Sequence, residues 1–158
     1  MPIRAATLVD VEAMFEIRSN EPQLFIGDDS PATELVRWEH AVSEGTGCCL
    51  VYETDSCISG FIYAAQSEDG KSVGRIRYLW VHPEQRRRNV AGKVIANELY
   101  ERCEAELIGK GYEAIRFATA IDNHVVHNMA KKYGFKPVGV RLSGENGDSL
   151  SFYEKVLK

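Results

Sequence analysis

The order in which apolar periodicity changes along the chain narrows its fold more than any other feature. Short apolar runs suited to strands alternate with longer segments whose apolar groups recur every three or four residues, as in helices. Ile3 to Ala6 is a short strand candidate. Thr7 and Asp10 have the form of a capping box with Asp in place of Glu, and Val9, Val11, Met14, Phe15 and Ile17 follow as a helical stripe that ends near residues 18–20. Residues 21–30 read as a loop. Ser30-Pro31 then supplies a hydroxyl N-cap and a first-turn proline for a helix that carries Leu35, Val36 and Trp38 and stops at Gly45 and Gly47.

Cys48 to Glu53 and Cys57 to Ala65 are two strands around the turn Thr54-Asp55-Ser56, with Gly60 marking a bulge. After the loop 67–74, Arg75 to Val81 (RIRYLWV) has the continuous apolar end of a strand covered on both faces. Val90, Val94, Ile95, Leu99, Cys103, Leu107 and Ile108 space a long helix over Val90 to Lys110, closed by Gly111. Glu113 to Ile121 is the next strand, Asn123 to Tyr133 the next helix with Gly134 as its stop, and residues 135–142 and 150–156 a final strand pair. Without repeats, linkers or low-complexity tracts, the expectation is one mixed α/β domain over residues 1–158.

Composition excludes some partners. The net charge of −4 argues against a nucleic-acid binder. No apolar stretch approaches the roughly 20 residues of a membrane span, and the first residues lack the apolar core of a signal peptide. Cys48, Cys49, Cys57 and Cys103 form no CxxC pair and face no His-rich segment. That argues against zinc and for free, buried thiols in a reducing compartment, so the expected location is the cytoplasm and no metal is expected.

Against this acidic background stands VHPEQRRRNVAGKVIA, residues 81–96. A strand, a loop, a small-residue turn and a helix follow one another. A helix start offers unpaired N–H groups and the positive end of the dipole, a combination that binds phosphate oxygens. Ala91 and Gly92 let an anion approach the backbone, and Arg86, Arg87 and Arg88 add guanidinium groups. Two nucleotide motifs fail: the Walker pattern lacks its leading glycine and hydroxyl, and GxGxxG is absent. The physical reading is an anion cradle; the alternative is a solvated basic turn before an ordinary helix.

The same residues resemble a known family. Val81-His82-Pro83 followed by Arg86-Arg87-Arg88-Asn89-Val90-Ala91 is similar to motif A of the GNAT superfamily of N-acetyltransferases, with Asn89 where the family usually has glycine. Asn123 through Gly134-Phe135 resembles motif B in order and spacing, and FYEKVLK resembles the family's last strand. The resemblance implies a GNAT fold: a single mixed twisted sheet of about six or seven strands flanked by about four helices. It implies that backbone amides of Arg86, Arg87, Arg88, Asn89, Val90, Ala91, Gly92 and Lys93 face the pyrophosphate of acetyl-CoA. The backbones of Trp80 and Val81 would bond the pantetheine amides, and Asn123 the same arm, although Asn123 is also a plausible N-cap.

The implied reaction is acetyl transfer from acetyl-CoA to a primary amine of a small molecule or peptide by direct attack. The alternatives are an acyl-CoA-binding module of the same fold with little or no catalysis, and an unrelated phosphate-binding α/β protein. No nucleic acid or membrane partner is implied, and homodimers are common among relatives. The catalytic groups depart from the family pattern. Ala130 stands where an acidic tyrosine is frequent. Tyr133 is then either a substitute acid or a packed residue beside Gly134, His127 either an acid or a surface histidine, and the base either water or one of Glu21, Asp28 and Asp29. Arg75 and Arg77, two apart on one strand, are expected to share a face. Either they favour a carboxylate or phosphate on the acceptor, or they are solvated and balance nearby carboxylates.

Overall fold

The computed structural model describes residues 3–20, 30–67, 72–86, 89–90, 93–121, 123–142 and 149–157. Strand β1 (Ile3–Ala5) leads into helix α1 (Leu8–Asn20). Its start shows one half of the expected box, the Asp10 carboxylate reaching back to the Thr7 N–H at 2.7 Å, while the Thr7 hydroxyl donates to the same Oδ2 at 3.0 Å. Helix α2 (Pro31–Glu44) begins at Ser30, whose hydroxyl accepts from the Thr33 N–H at 3.3 Å, and ends at Gly45 with φ +69°.

Strands β2 (Cys48–Thr54) and β3 (Cys57–Gln66) pair antiparallel around Asp55 and Ser56, both at positive φ. The bulge expected at Gly60 falls on its neighbour: the register passes from Tyr52↔Gly60 to Glu53↔Ile58 and leaves Ser59 extra. Strand β4 is Val73–Val81. A 3₁₀ turn, Pro83–Gln85, follows, with the His82 ring nitrogen Nδ1 accepting from the Glu84 N–H at 3.1 Å. Two short strands, β5 (Asn89–Val90) and β6 (Lys93–Val94), pair with each other before helix α3 (Ile95–Gly109). The long helix therefore starts at Ile95, five residues later than periodicity suggests. β-Branched Val90 and Val94, a glycine between them and the lack of a capping residue all disfavour an earlier helical turn.

Strand β7 (Ala114–Ala120), helix α4 (His124–Lys132), and strands β8 (Lys136–Leu142) and β9 (Ser149–Val156) complete the chain. The main sheet has seven strands in the order β1-β2-β3-β4-β7-β9-β8, all antiparallel neighbours except β4 and β7. The expected mixed sheet of six or seven strands with four helices is present.

Each face buries its own core. Helices α1 and α2 cover β2 to β4 with Val11, Met14 and Trp38 against Val51, Phe61, Tyr63, Tyr78 and Trp80. Trp38 is fully buried and stacks on Tyr63 at 4.8 Å between centroids, an arrangement that stabilises by about 2–3 kcal/mol in burial alone. The opposite face packs against α3, whose Ile95, Leu99, Cys103 and Leu107 are each fully buried, and against Ala130 of α4. Some expected core positions are outside: Val9 is 78% and Val36 65% exposed. Of the four free cysteines, Cys48 and Cys103 are buried, Cys49 is half-buried, and Cys57 is exposed at the hairpin. Among the described residues no helix is long and apolar enough to cross a membrane.

Candidate active site

The one parallel pairing in the sheet opens a cleft. Strands β4 and β7 are joined only where Val73, Gly74 and Arg75 meet Ala114, Ile115 and Arg116. Beyond that point β4 continues to Val81 and β7 to Ala120 without pairing to each other. Two strands that diverge leave backbone N–H and C=O groups along the gap, and an extended ligand with amides can satisfy them. The gap lies at the carboxyl ends of parallel neighbours, the usual binding crevice of an open α/β sheet.

Side chains give the cleft its shape and a volume of about 170 Å³. Ile76, Arg77, Tyr78 and Leu79 come from β4, and Phe117, Ala118 and Thr119 from β7. Tyr100 of α3 enters from below, and Asn123, Val126, Met129 and Ala130 of α4 from the side. No carboxylate is among these residues. Sequence reading missed Tyr100, Phe117, Thr119 and Met129, because each looks like an ordinary core position until the strands are seen to part.

A second bulge sits in the cleft wall. The β3–β4 register steps from Tyr63↔Tyr78 to Ala64↔Ile76, so Arg77 is extra. The bulge shifts the alternation of side chains by one. The bulge interrupts the regular alternation on which the shared face expected of Arg75 and Arg77 depends. Arg77 lines the cleft, and Arg75 lines a separate hollow with Arg116 and Glu154.

The strand-end residues have specific neighbours. Trp80 is buried against Phe61 at 5.8 Å, with the His82 ring edge-on at 5.9 Å. Val81 is buried in the opposite core, and its carbonyl accepts from Arg86 Nε at 2.9 Å. Arg86 itself is exposed. Arg87, Arg88, Ala91 and Gly92 lie outside the described residues, while the backbones of Asn89, Val90 and Lys93 belong to the β5–β6 pair. The N-cap position of α3, Val94, makes no side-chain cap hydrogen bond. The amide end that an anion would meet thus begins at Ile95 and not at Val90.

Asn123 is the N-cap of α4: its side-chain oxygen accepts from the Val126 N–H at 3.3 Å. It also stands at the lip of the cleft. The cap uses the oxygen, so the amide NH₂ is the group that can face a ligand.

The two candidate acids are engaged elsewhere. Tyr133 donates to Glu101 Oε2 at 3.1 Å, packs on Tyr100 at 4.5 Å between centroids, and is absent from the cleft lining. Burial first, and then the Glu101 carboxylate, push its pKa upward. His127 bonds through Nε2 to the Ile121 carbonyl at 2.8 Å and through Nδ1 to the Tyr153 hydroxyl. A carbonyl only accepts, so Nε2 carries the proton and Tyr153 donates to Nδ1 in the neutral ring. His127 is thereby half-buried and tied to β9, not a free surface histidine. The candidate bases Glu21, Asp28 and Asp29 lie outside the described residues.

A polar group of the cleft wall reaches a buried ion pair. Arg18 Nε donates to both Glu34 Oε2 and the Tyr78 hydroxyl, each at 3.1 Å. The Arg18 and Glu34 side chains are 11% and 5% exposed. Burial, then hydrogen bonding to Glu34, raises the Tyr78 pKa, so its hydroxyl stays protonated at neutral pH. Burial does the same to Tyr100 on the cleft floor.

Comparison with known proteins converges on one fold. An N-acetyltransferase from Staphylococcus aureus Mu50 superposes with a TM-score of 0.76 at 20% identity, covering 99% of this chain and 98% of that one. A ribosomal-protein-alanine N-acetyltransferase from Brucella melitensis gives 0.77 at 18% identity, covering 99% and 100%. The structure of yncA from Salmonella typhimurium with its cofactor acetyl-CoA gives 0.76 at 18% identity, covering 99% and 93%. Residues 11–135 match the acetyltransferase (GNAT) family. That match takes in the cleft, the basic turn and the helix opened by Asn123, and the chain accordingly belongs to the acetyltransferase (GNAT) family.

Proposed function

We propose that residues 1–158 act as one N-acetyltransferase domain that moves an acetyl group from acetyl-CoA to a primary amine of a small molecule or peptide by direct attack. The observation that carries this reading is the parting of β4 and β7 beyond Arg75 and Arg116, which leaves two backbone edges facing a cavity. Family membership and the fold shared with an acetyl-CoA complex support it.

The residues present fit such a donor. The edge of β4 that faces the cleft, through the backbones of Trp80 and Val81, is a template for the amides of a pantetheine arm. Asn123 offers its NH₂ at the cleft lip. Arg86, Arg87, Arg88, Asn89, Val90, Ala91, Gly92 and Lys93, together with the start of α3, form the basic segment that would hold a diphosphate. Bound acetyl-CoA supplies a thioester. Transfer forms the N–C bond, breaks the C–S bond and releases the thiol.

The protein's part is to orient the amine and to exclude water, for which the apolar wall of Ile76, Leu79, Phe117 and Met129 is suited. The ammonium proton passes to water or to the loop carboxylates Glu21, Asp28 and Asp29, since the described cleft lining has none. A thiolate leaves without an obligatory acid, which agrees with Tyr133 and His127 being bound elsewhere. The expected location is the cytoplasm, with a homodimer as the candidate assembly.

The test is thiol release from acetyl-CoA with a panel of primary amines. Turnover that depends on both substrates supports the reading. Thermal protection by CoA without turnover of any amine would favour a binding module, and protection by ATP but not CoA would support a nucleotide binder instead.

A further inference from the structure

One polar atom at the cleft is buried and unmatched. Tyr100 of α3 is 2% exposed and lines the gap between β4 and β7. Its hydroxyl is buried and has no hydrogen-bond partner among the described residues. Of the two tyrosines in the lining, Tyr78 is bound through its hydroxyl to Arg18 at 3.1 Å, and Tyr100 is the one left unpaired. Its ring is fixed by Tyr133 at 4.5 Å and Phe135 at 5.8 Å between centroids, contacts that do not satisfy a hydroxyl. The Glu104 carboxylate, one turn further along α3, bears on the phenol without bonding to it and is itself held by Lys155 Nζ at 2.6 Å.

Native interiors leave few hydroxyls in this condition, because a buried donor without an acceptor is costly. At a cleft wall the cost is offset when a ligand brings the acceptor. The neighbours of Tyr100 in the lining narrow what that acceptor is. Ile76, Leu79, Phe117, Met129 and Ala130 are apolar. Stripping a carboxylate or a phosphate of its water among such groups is expensive, whereas a sulfur atom is soft and weakly hydrated. Ala130 shares the floor, is 1% exposed and carries only a methyl, so α3 and not α4 brings a tyrosine hydroxyl to it.

We infer that the Tyr100 hydroxyl donates a hydrogen bond to the sulfur of the bound donor and stabilises the thiolate as it departs. This deepens the acetyltransferase reading and rests on it for the identity of the sulfur; the unmatched hydroxyl stands on the packing alone. In the reaction the amine forms the N–C bond, the C–S bond breaks, and its electron pair stays on sulfur, where the Tyr100 O–H meets the developing charge. The proton does not move. Burial, and then the Glu104 carboxylate, raises the phenol's pKa, while a thiol ordinarily ionises near about 8.5. The other titratable or charged groups around the phenol are Cys103 of α3, Tyr133 after α4, Arg77 of β4 and, through Glu104, Lys155 of β9. The thiolate takes its proton from water after release.

The experiment compares the full chain with Tyr100→Phe, which keeps the ring and removes only the hydroxyl. Without ligand the variant melts no lower than the parent, since the hydroxyl it loses bonds to nothing. The thiol of bound CoA is titrated by thiolate absorbance, with the complex of desulfo-CoA as the blank. It ionises about one pH unit higher in the variant, a tenfold change in the thiolate equilibrium. Desulfo-CoA, which lacks the thiol, binds both proteins equally in calorimetry. With an amine that is turned over, kcat falls about tenfold and the KM for acetyl-CoA is unchanged, as a contact strengthened in the transition state implies.

A variant that melts clearly below the parent would assign the hydroxyl to a protein partner, Glu104 foremost, and overturn the inference. So would an unshifted thiol ionisation, an unchanged kcat, or weakened binding of desulfo-CoA, which would set the hydroxyl against another part of the donor. A shifted thiol ionisation without turnover of any amine would keep the Tyr100 contact and sink the acetyltransferase reading instead. A parent that binds neither CoA nor desulfo-CoA would end both.

Discussion

Arg86 folds back onto the strand it follows, its Nε donating to the Val81 carbonyl at 2.9 Å. The first arginine of the basic turn and the last residue of β4 are thus coupled before any ligand enters. Either the guanidinium keeps the strand end in place, or it exchanges this carbonyl for a phosphate. Arg86→Gln is expected to weaken CoA binding about tenfold and pantetheine binding hardly at all, because only CoA carries the phosphates. Calorimetry with the two ligands decides. An equal loss for both would mean that Arg86 acts by holding Val81.

Asn123 joins a structural role to a proposed ligand contact, and its two side-chain groups can be separated. Asp is as good an N-cap as Asn but lacks the NH₂. Asn123→Asp should melt within about 0.5 kcal/mol of the parent and raise the KM for acetyl-CoA about tenfold. Asn123→Ala should lose the same affinity and about 1 kcal/mol of stability as well. A normal KM in the Asp variant would leave Asn123 as a cap and nothing more.

Much of this arrangement was legible in the residues because its causes are local. The i, i+4 series Ile95, Leu99, Cys103 and Leu107 forms one buried helix face, and Ser30, Gly45 and Gly134 end or begin helices where their chemistry places them. The misses have non-local or competing causes. The start of α3 moved from Val90 to Ile95 because β-branched residues around a glycine pair as β5 and β6 instead. The bulge at Arg77 is a property of the β3–β4 register and leaves no mark in β4 alone. The partner that holds the Tyr133 hydroxyl, Glu101, lies 32 residues away and so leaves no local mark beside it.

That pairing makes Tyr133 a control. Its hydroxyl is bound to α3 and its ring packs on Tyr100, so Tyr133→Phe should leave kcat within about twofold and cost about 1 kcal/mol of stability. A fall in kcat of a hundredfold or more would restore Tyr133 as the acid. Stopped-flow thiol release together with urea melts covers both readouts.

The base of α1 should govern stability in acid. Arg4 donates to both Asp10 oxygens, at 2.7 and 3.1 Å, and Thr7 adds its N–H and hydroxyl. The Arg4 hydrogen bond, ahead of the opposing effect of burial, holds the Asp10 carboxyl below its usual range. A depressed folded pKa stabilises fully above the unfolded value of about 3.9 and is lost as pH falls through the folded value. Asp10→Asn should therefore cost about 1–3 kcal/mol at pH 7 and approach the parent as the pH falls through the lowered folded value. Melting curves between neutral and acid pH show whether the two converge; a constant gap across that range would contradict the assignment.

The most direct test of the central claim is amide hydrogen exchange with and without acetyl-CoA. Slowed exchange in residues 76–81 of β4, in the first turn of α3 from Ile95, and at the start of α4 is the expected pattern. Unchanged exchange along 76–81, with protection confined to some other part of the chain, would contradict a donor seated between the parted strands.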